Sequence, residues 1–140
     1  MTTEDKDKKV PYDAFATAFD TTFNDSGTSG NVLGAAAIKS KPKTYREKDK
    51  DVYILEVTCS ILVNLYGSKE FESKKIMCTQ ECDAYIEAWM KNRLSKFKEI
   101  TGKSLSLKRE AESISVNFIS SNAFNGNGTV MFQRHCVFKK

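Results

Sequence analysis

From Asp51 to Tyr66 the chain reads DVYILEVTCSILVNLY, and every odd position from Tyr53 to Leu65 is apolar. Tyr53, Leu55, Val57, Cys59, Ile61, Val63 and Leu65 fall on one side of a period-two pattern, while Glu56, Thr58, Ser60 and Asn64 fall on the other. This alternation predicts a β-strand with one buried face. At roughly 3.3 Å per residue the strand would run on the order of 45 Å, against a usual ~17 to 20 Å. The sequence therefore predicts either a bulge or a strand that projects past its own domain. The even face is polar at its centre and apolar at its ends, at Val52, Ile54, Leu62 and Tyr66. Those ends are expected to reach into other structure.

Upstream, Tyr12, Phe15, Phe19 and Phe23 recur at spacings of three, four and four after Pro11. They predict an amphipathic helix with an aromatic stripe, stopping near Asp25, because Gly27 follows. The stripe is either a core face or, in part, a surface for a neighbouring subunit, since aromatics concentrate at interface cores. Residues 26 to 50 combine a turn-like SGTSGN, a short apolar VLGAAAI and a charged stretch containing Pro42, which together predict a flexible basic insertion. Downstream of the long strand, Gly67 and Ser68 signal a turn and KEFESKKIMC a weaker second arm of a hairpin.

A helix is then predicted from Thr79, its cap, to Gly102, its terminator. Cys82, Ile86, Trp89, Met90, Leu94 and Phe97 form its apolar stripe. Two strands follow, alternating at Ile114, Val116 and Phe118 and at Val130, Phe132, Cys136 and Phe138, with Arg134 interrupting the second. NGNG at 125 to 128 is expected to join them as a hairpin. The fold class is α+β, a mainly antiparallel sheet of about four strands with an N-terminal helix and one crossing helix packed on one face. Residues 1 to 10, with balanced charges, read as a disordered tail and residues 11 to 140 as a single domain.

No stretch approaches the ~20 apolar residues of a membrane helix, and MTTEDKDKKVPYD has no apolar core of a signal peptide. Synthesis in the cytoplasm and no membrane partner are the expectations. The formal net charge is +4, and Lys39, Lys41, Lys43, Arg46, Lys48 and Lys50 outnumber Glu47 and Asp49 in one short stretch. That stretch either solvates an exposed connection or meets phosphate or an acidic partner. The predicted helix adds Lys91, Arg93, Lys96 and Lys98, which also complement its dipole.

Chemistry is sparse. Cys78, Cys82, Cys136 and His135 invite a zinc reading, but there is no CxxC pair, and His135 and Cys136, adjacent on a strand, point to opposite faces. The single histidine has no nucleophile context, and Cys82 lies in an apolar stripe. Glu110 and Glu112 could share a strand face but sit in a polar stretch beside Lys108 and Arg109. No phosphate-binding loop occurs, since NGNG precedes a strand. No catalytic residue, metal, cofactor or small-molecule substrate is predicted.

The segment DAYIEAWMKNRLSKF (Asp83 to Phe97), set between the long strand and a closing hairpin, resembles small tail-terminator and neck proteins of tailed bacteriophages. The likeness covers Val52 to Phe138 in element order. It implies an N-terminal helix before a sheet, one crossing helix, closure into homo-oligomeric rings and a place in the virion. The insertion at 26 to 50 departs from that pattern. The functional expectation is a non-enzymatic structural or assembly subunit, a homo-oligomeric component of a phage tail or neck, with copies of itself and other structural proteins as partners. A basic nucleic-acid-binding module is the alternative, acting through Lys39 to Lys50. The expected interaction residues are Tyr12, Phe15, Phe19, Phe23, Lys39, Lys41, Lys43, Arg46, Lys48, Lys50, Val52, Ile54, Leu62 and Tyr66.

Overall fold

The computed structural model describes residues 14–20, 25–28, 35–66, 70–122 and 127–140, with the backbone alone at 25–28, 35, 66, 120–122 and 127. A helical segment α1 (14–19) is followed by β1 (Asp25–Thr28), β2 (Ala35–Glu47), β3 (Lys50–Tyr66), a long helix α2 (Phe71–Thr101), β4 (Lys108–Asn122) and β5 (Asn127–Lys139). The strands form one antiparallel sheet in the order β1-β2-β3-β5-β4. Four of them are long, and β1 pairs only with residues 35–38 of β2. The fold is α+β, with a short N-terminal helix and one long helix on the same face of the sheet.

The two-residue period of β3 determines which face is covered. Its odd residues from Leu55 to Ile61 are fully buried, and Tyr53, Val63 and Leu65 nearly so. The even residues of β5, Val130 to Phe138, join them. Over this face lies α2, whose Cys78, Cys82, Ile86, Trp89, Met90 and Phe97 recur at helical spacing and are buried. The Cys82 thiol sits 3.6 Å from the Cys59 carbonyl oxygen, which seats the middle of the helix on the middle of β3.

Beside α2 an aromatic cluster closes the core. Phe15 of α1 packs on Phe19 and Tyr53, each at 4.9 Å between ring centroids, and Phe19 reaches Trp89 at 6.2 Å and Phe97 at 6.5 Å. The Ser40 hydroxyl of β2 donates to the Phe19 carbonyl, satisfying an oxygen that the end of α1 leaves without a helical partner.

Several expectations change. The long strand does not project beyond its domain. It is central, flanked by β2 and β5, and α2 matches it in length, since 31 residues at ~1.5 Å each extend about 46 Å. Residues 35 to 47, expected within a flexible insertion, are a regular strand. Its hairpin with β3 turns at Lys48 and Asp49, whose φ angles of 49° and 65° are the left-handed pair that a tight two-residue turn requires. Aspartate tolerates that region better than most residues.

Of the stretch KEFESKKIMC, read as a strand, the residues from Phe71 to Cys78 are instead the first turns of α2. Phe71 gives the reason: its ring stacks on Phe118 of β4 and packs on Phe132 of β5, so tertiary contact extends the helix upstream. Thr79 consequently lies inside the helix and donates to the Lys75 carbonyl. The expected terminator holds, with Gly102 at φ 74° donating its N–H to Lys98. The expected helix stop near Asp25 fails, because Asp25 opens β1 and Asp20 already donates to Ala16 in the last described turn of α1. The tail at 1 to 10, the Gly67–Ser68 turn, and Asn125 and Gly126 of the NGNG turn lie outside the described residues. The strands on either side of NGNG pair as expected.

Phe19→Ala should destabilise the fold by about 3–5 kcal/mol, since a fully buried ring shared by α1 and α2 leaves a cavity. Ser40→Ala should cost about 1 kcal/mol by removing the hydroxyl that closes α1. Urea denaturation followed by far-UV circular dichroism measures both.

Candidate functional site

Both helices lie on one face of the sheet, and among the described residues no element covers the other. It is built from odd residues of β2, even residues of β3 and odd residues of β5. The register sets Lys39, Thr58, His135 and Ser113 in one cross-strand row, and Lys41, Glu56, Val137 and Ala111 in the next. A third row contains Lys43, Ile54, Lys139 and Lys108. A trough of about 640 Å³ runs over Lys39, Lys41, Glu56, Ser60, Gln133 and His135, and a second depression continues it past Lys43 and Ile54.

The floor of the trough is tied together by side-chain hydrogen bonds across three strands. Asn117 donates to Gln133 at 3.2 Å, and Gln133 donates to Ser60 at 3.2 Å. His135 lies 3.8 Å from Glu56. The lysines at the rim are all exposed.

The outer edge of β4 is a second open surface. Among the described residues no strand pairs with it. From Ser113 to Asn122 it carries neither a charge nor a proline. On the helix side of β4, Ile114 and Val116 are half-buried and Phe118 is 65% exposed, while Ile119, the extra residue of a bulge, is 57% exposed. Natural edge strands are normally blunted by charge, proline or cover. The N-terminal half of β4 and the edge of β2 conform, with Lys108, Arg109, Glu110 and Glu112 in the first and Pro42 among lysines in the second.

On the covered face one charge enters the core. Arg134, only 8% exposed, holds Asp83 of α2 through Nε at 3.0 Å and Nη2 at 3.4 Å, and reaches Glu112 at 3.1 Å. Arg109 bridges the same two carboxylates at 3.2 and 3.1 Å. Arg109 and Glu112 lie three apart, yet both face the helix, because the bulge at Glu110 inserts one residue and inverts the alternation. Glu110 and Glu112 therefore do not form a carboxylate pair. Burial alone would lower the pKa of Arg134, but its hydrogen bond to Asp83 and the surrounding negative charge raise it above the ordinary value. Two cations and two anions satisfy one another, which fits a structural clamp.

The four cysteines are free and buried. Burial, then the neighbouring Cys82 and Glu81, pushes the Cys78 thiol up to about 12, and Cys82 is raised by its hydrogen bond with Cys59 and by burial. Burial also raises Cys136, so Cys78, Cys82 and Cys136 stay protonated near neutrality and are poor nucleophiles. His135 lies on the open face and Cys136 on the covered one. Among the described residues no group of three ligand-type side chains gathers as a metal site, and no helix is long and apolar enough to cross a membrane.

The expected interaction residues separate. Phe15 and Phe19 are core, while Tyr12 and Phe23 lie outside the described residues. Lys39, Lys41 and Lys43 come together on the open face. Arg46 pairs with Asp51 at 3.5 Å near the hairpin tip, where Lys48 and Lys50 are exposed. Val52 is buried within the chain itself, Ile54 is half-buried, and Leu62 is 56% exposed beside Met131 in the trough. Of Tyr66 only the backbone is described. The sequence reading missed Lys108, Gln133, His135 and Lys139 as members of one surface. The alternation of β5 carries that signal, since its odd residues Met131, Gln133, His135 and Lys139 fall on the face opposite Phe132 and Cys136. No protein-family model matches the chain, and no curated protein sequence matches it.

Arg134→Ala should destabilise by about 1–3 kcal/mol, because Arg109 still holds both carboxylates while a charged hydrogen bond to Asp83 is lost, whereas Arg134→Met should cost less when paired with Asp83→Leu and Glu112→Leu. Thermal unfolding measures the difference. A thiol that stays protonated when folded but ionises when unfolded favours the unfolded state as pH rises. Stability should therefore fall from pH 9.0, the ordinary thiol value, toward about 12. The native thiols should react with Ellman's reagent only as fast as the protein opens.

Proposed function

We propose that this chain is a non-enzymatic structural subunit that assembles with copies of itself, and that the charge-free outer edge of β4 is the contact. The observation carrying this reading is the asymmetry between the two edges of the sheet. The edge of β2 has the devices that prevent strand addition, and the second half of β4 has none.

Antiparallel pairing of Ser113–Asn122 with the same segment of a second copy keeps the charged residues 108 to 112 of each strand outside the paired stretch, so like charges do not face one another. The pairing is isologous, as a two-fold contact must be. It supplies main-chain hydrogen bonds to both edges and sets the helix-side residues Ile114, Val116 and Phe118 of one copy beside those of the other. Phe118 and Ile119, exposed in the single chain, provide the apolar component. The sequence of elements, with a helix before the sheet, one crossing helix and a closing hairpin, also suits the small tail and neck subunits that the sequence resembles. We therefore place the protein in that class of virion component. The buried, protonated thiols and the self-satisfied Arg134 clamp support a role without catalysis.

Sedimentation equilibrium at micromolar concentration should give a dimer or a higher multiple of it. The double variant Phe118→Ser, Ile119→Lys should shift it to monomer, with far-UV circular dichroism losing at most the first turn of α2, because Phe132 still holds Phe71 when the Phe118 ring is gone. A wild-type monomer across the accessible concentration range would overturn the reading.

A further inference from the structure

Lysines that lie on three strands far apart in the sequence are placed by the fold on two sides of a groove. Lys39, Lys41 and Lys43 follow one another along β2 at steps of about 6.7 Å, twice the rise of a strand residue. Lys139 and Lys108 continue the row begun by Lys43 across β5 and β4, at strand spacings of about 4.8 Å. Between these two arms lies the trough. Among the described residues Glu56 is the one carboxylate lining it; it lies 3.8 Å from His135, and the register sets Lys41 opposite it on β2. Thr58, Ser60 and Gln133 line the middle of the floor with hydroxyl and amide groups, and Ala37, Leu62 and Met131 line its apolar remainder. We propose that this open face binds the phosphate backbone of a nucleic-acid duplex without regard to sequence.

Each part of the surface suits that occupant. An L-shaped border of ammonium groups neutralises phosphates and releases counterions, the main source of non-specific affinity for duplexes. The hydroxyl and amide groups of Ser60, Thr58 and Gln133 can donate to phosphate oxygens, a large share of contacts in such complexes. Single strands require aromatic platforms to replace lost base stacking. Among the described side chains of this face, Tyr45 is the one Phe, Tyr or Trp, and it lies near the hairpin tip, outside the trough, where His135 is the one ring. A duplex arrives already stacked and presents phosphates. The lysines need no ordering of the backbone, because β2 is held to β3 along its whole length. This surface lies on the opposite face of the sheet from α2 and does not depend on pairing through β4.

The test is fluorescence anisotropy of a labelled DNA duplex of mixed sequence, titrated with the full chain across a series of salt concentrations. Binding should weaken linearly on a log–log plot, with a slope near −0.9 for each phosphate neutralised. The triple variant Lys39→Gln, Lys41→Gln, Lys43→Gln should lower the magnitude of that slope by about 2–3. Glu56→Gln, which removes the opposing charge and adds a donor, should tighten binding. Lys91→Gln with Lys96→Gln, exposed on α2, should leave it unchanged.

These lysines are solvent-exposed, so circular dichroism should show the triple variant folded, and the expected gain from Glu56→Gln supplies a result that misfolding cannot imitate. Absence of salt-dependent binding, or an unchanged slope in the triple variant, would overturn the proposal. So would tighter binding of the unpaired strand, or of a polyglutamate peptide, than of the duplex. The Phe118→Ser, Ile119→Lys variant should keep the same salt slope, so the duplex site and the β4 contact can fail separately.

Discussion

Arg134 is the interaction on which the arrangement of the covered face turns. A guanidinium in an otherwise apolar strand position would cost several kcal/mol if left alone. Here it is held by a carboxylate from the helix and another from the edge strand. Apolar packing tolerates sliding of a helix along a sheet, whereas a forked, two-oxygen contact to Asp83 accepts one register. That register carries Cys82 onto Cys59, and it leaves Trp89 and Phe97 where α1 can close against them. The bulge at Glu110 belongs to the same arrangement, because without it Arg109 and Glu112 could not both face Asp83.

Once both helices are committed to one side, the character of the other side follows from the alternation of the strands. The same period that buries Leu55, Val57 and Cys59 sends Glu56, Thr58 and Ser60 outward. On β2 it gathers three lysines. The molecule therefore has a dry face that accounts for its stability and a wet face that is free to make contacts. The edge of β4 belongs to neither, since α2 lies over β2, β3 and β5 and leaves Phe118 and Ile119 largely in solvent.

The long strand, the crossing helix and the closing hairpin were legible in the sequence because each has an uninterrupted period and clear boundaries. Fold class followed, whereas Phe15 and Phe19, whose spacing suits either a core face or an interface, were expected to make interactions and are core. The first turns of α2 were not legible, because SKEFESKKIM has weak periodicity and Phe71 is recruited by rings distant in sequence. The strand nature of 35 to 47 was obscured by lysines and Pro42, which disfavour a strand in isolation but suit one at a sheet edge. The open face was legible only in pieces. Its lysines lie in β2, β4 and β5, and no local pattern states that Lys43, Lys139 and Lys108 share a row. The bulges at Glu110 and Ile119 each invert the alternation, so a strict two-residue reading anchored on Ile114, Val116 and Phe118 assigns Lys108 and Arg109 to the wrong face.

The position of β5 has a consequence for how the chain acquires this structure. The strand formed from residues 127 to 139 lies between β3 and β4, and it pairs Ile54 with Lys139 across most of the sequence. Contacts of such long range are slow to form. Until residue 139 has been synthesised, β3 has an open edge and α2 rests on an incomplete sheet. On the ribosome the β2–β3 hairpin and the helix can form early and wait. The sheet closes only when its second central strand arrives, so the nascent chain spends that interval with its most apolar strand exposed.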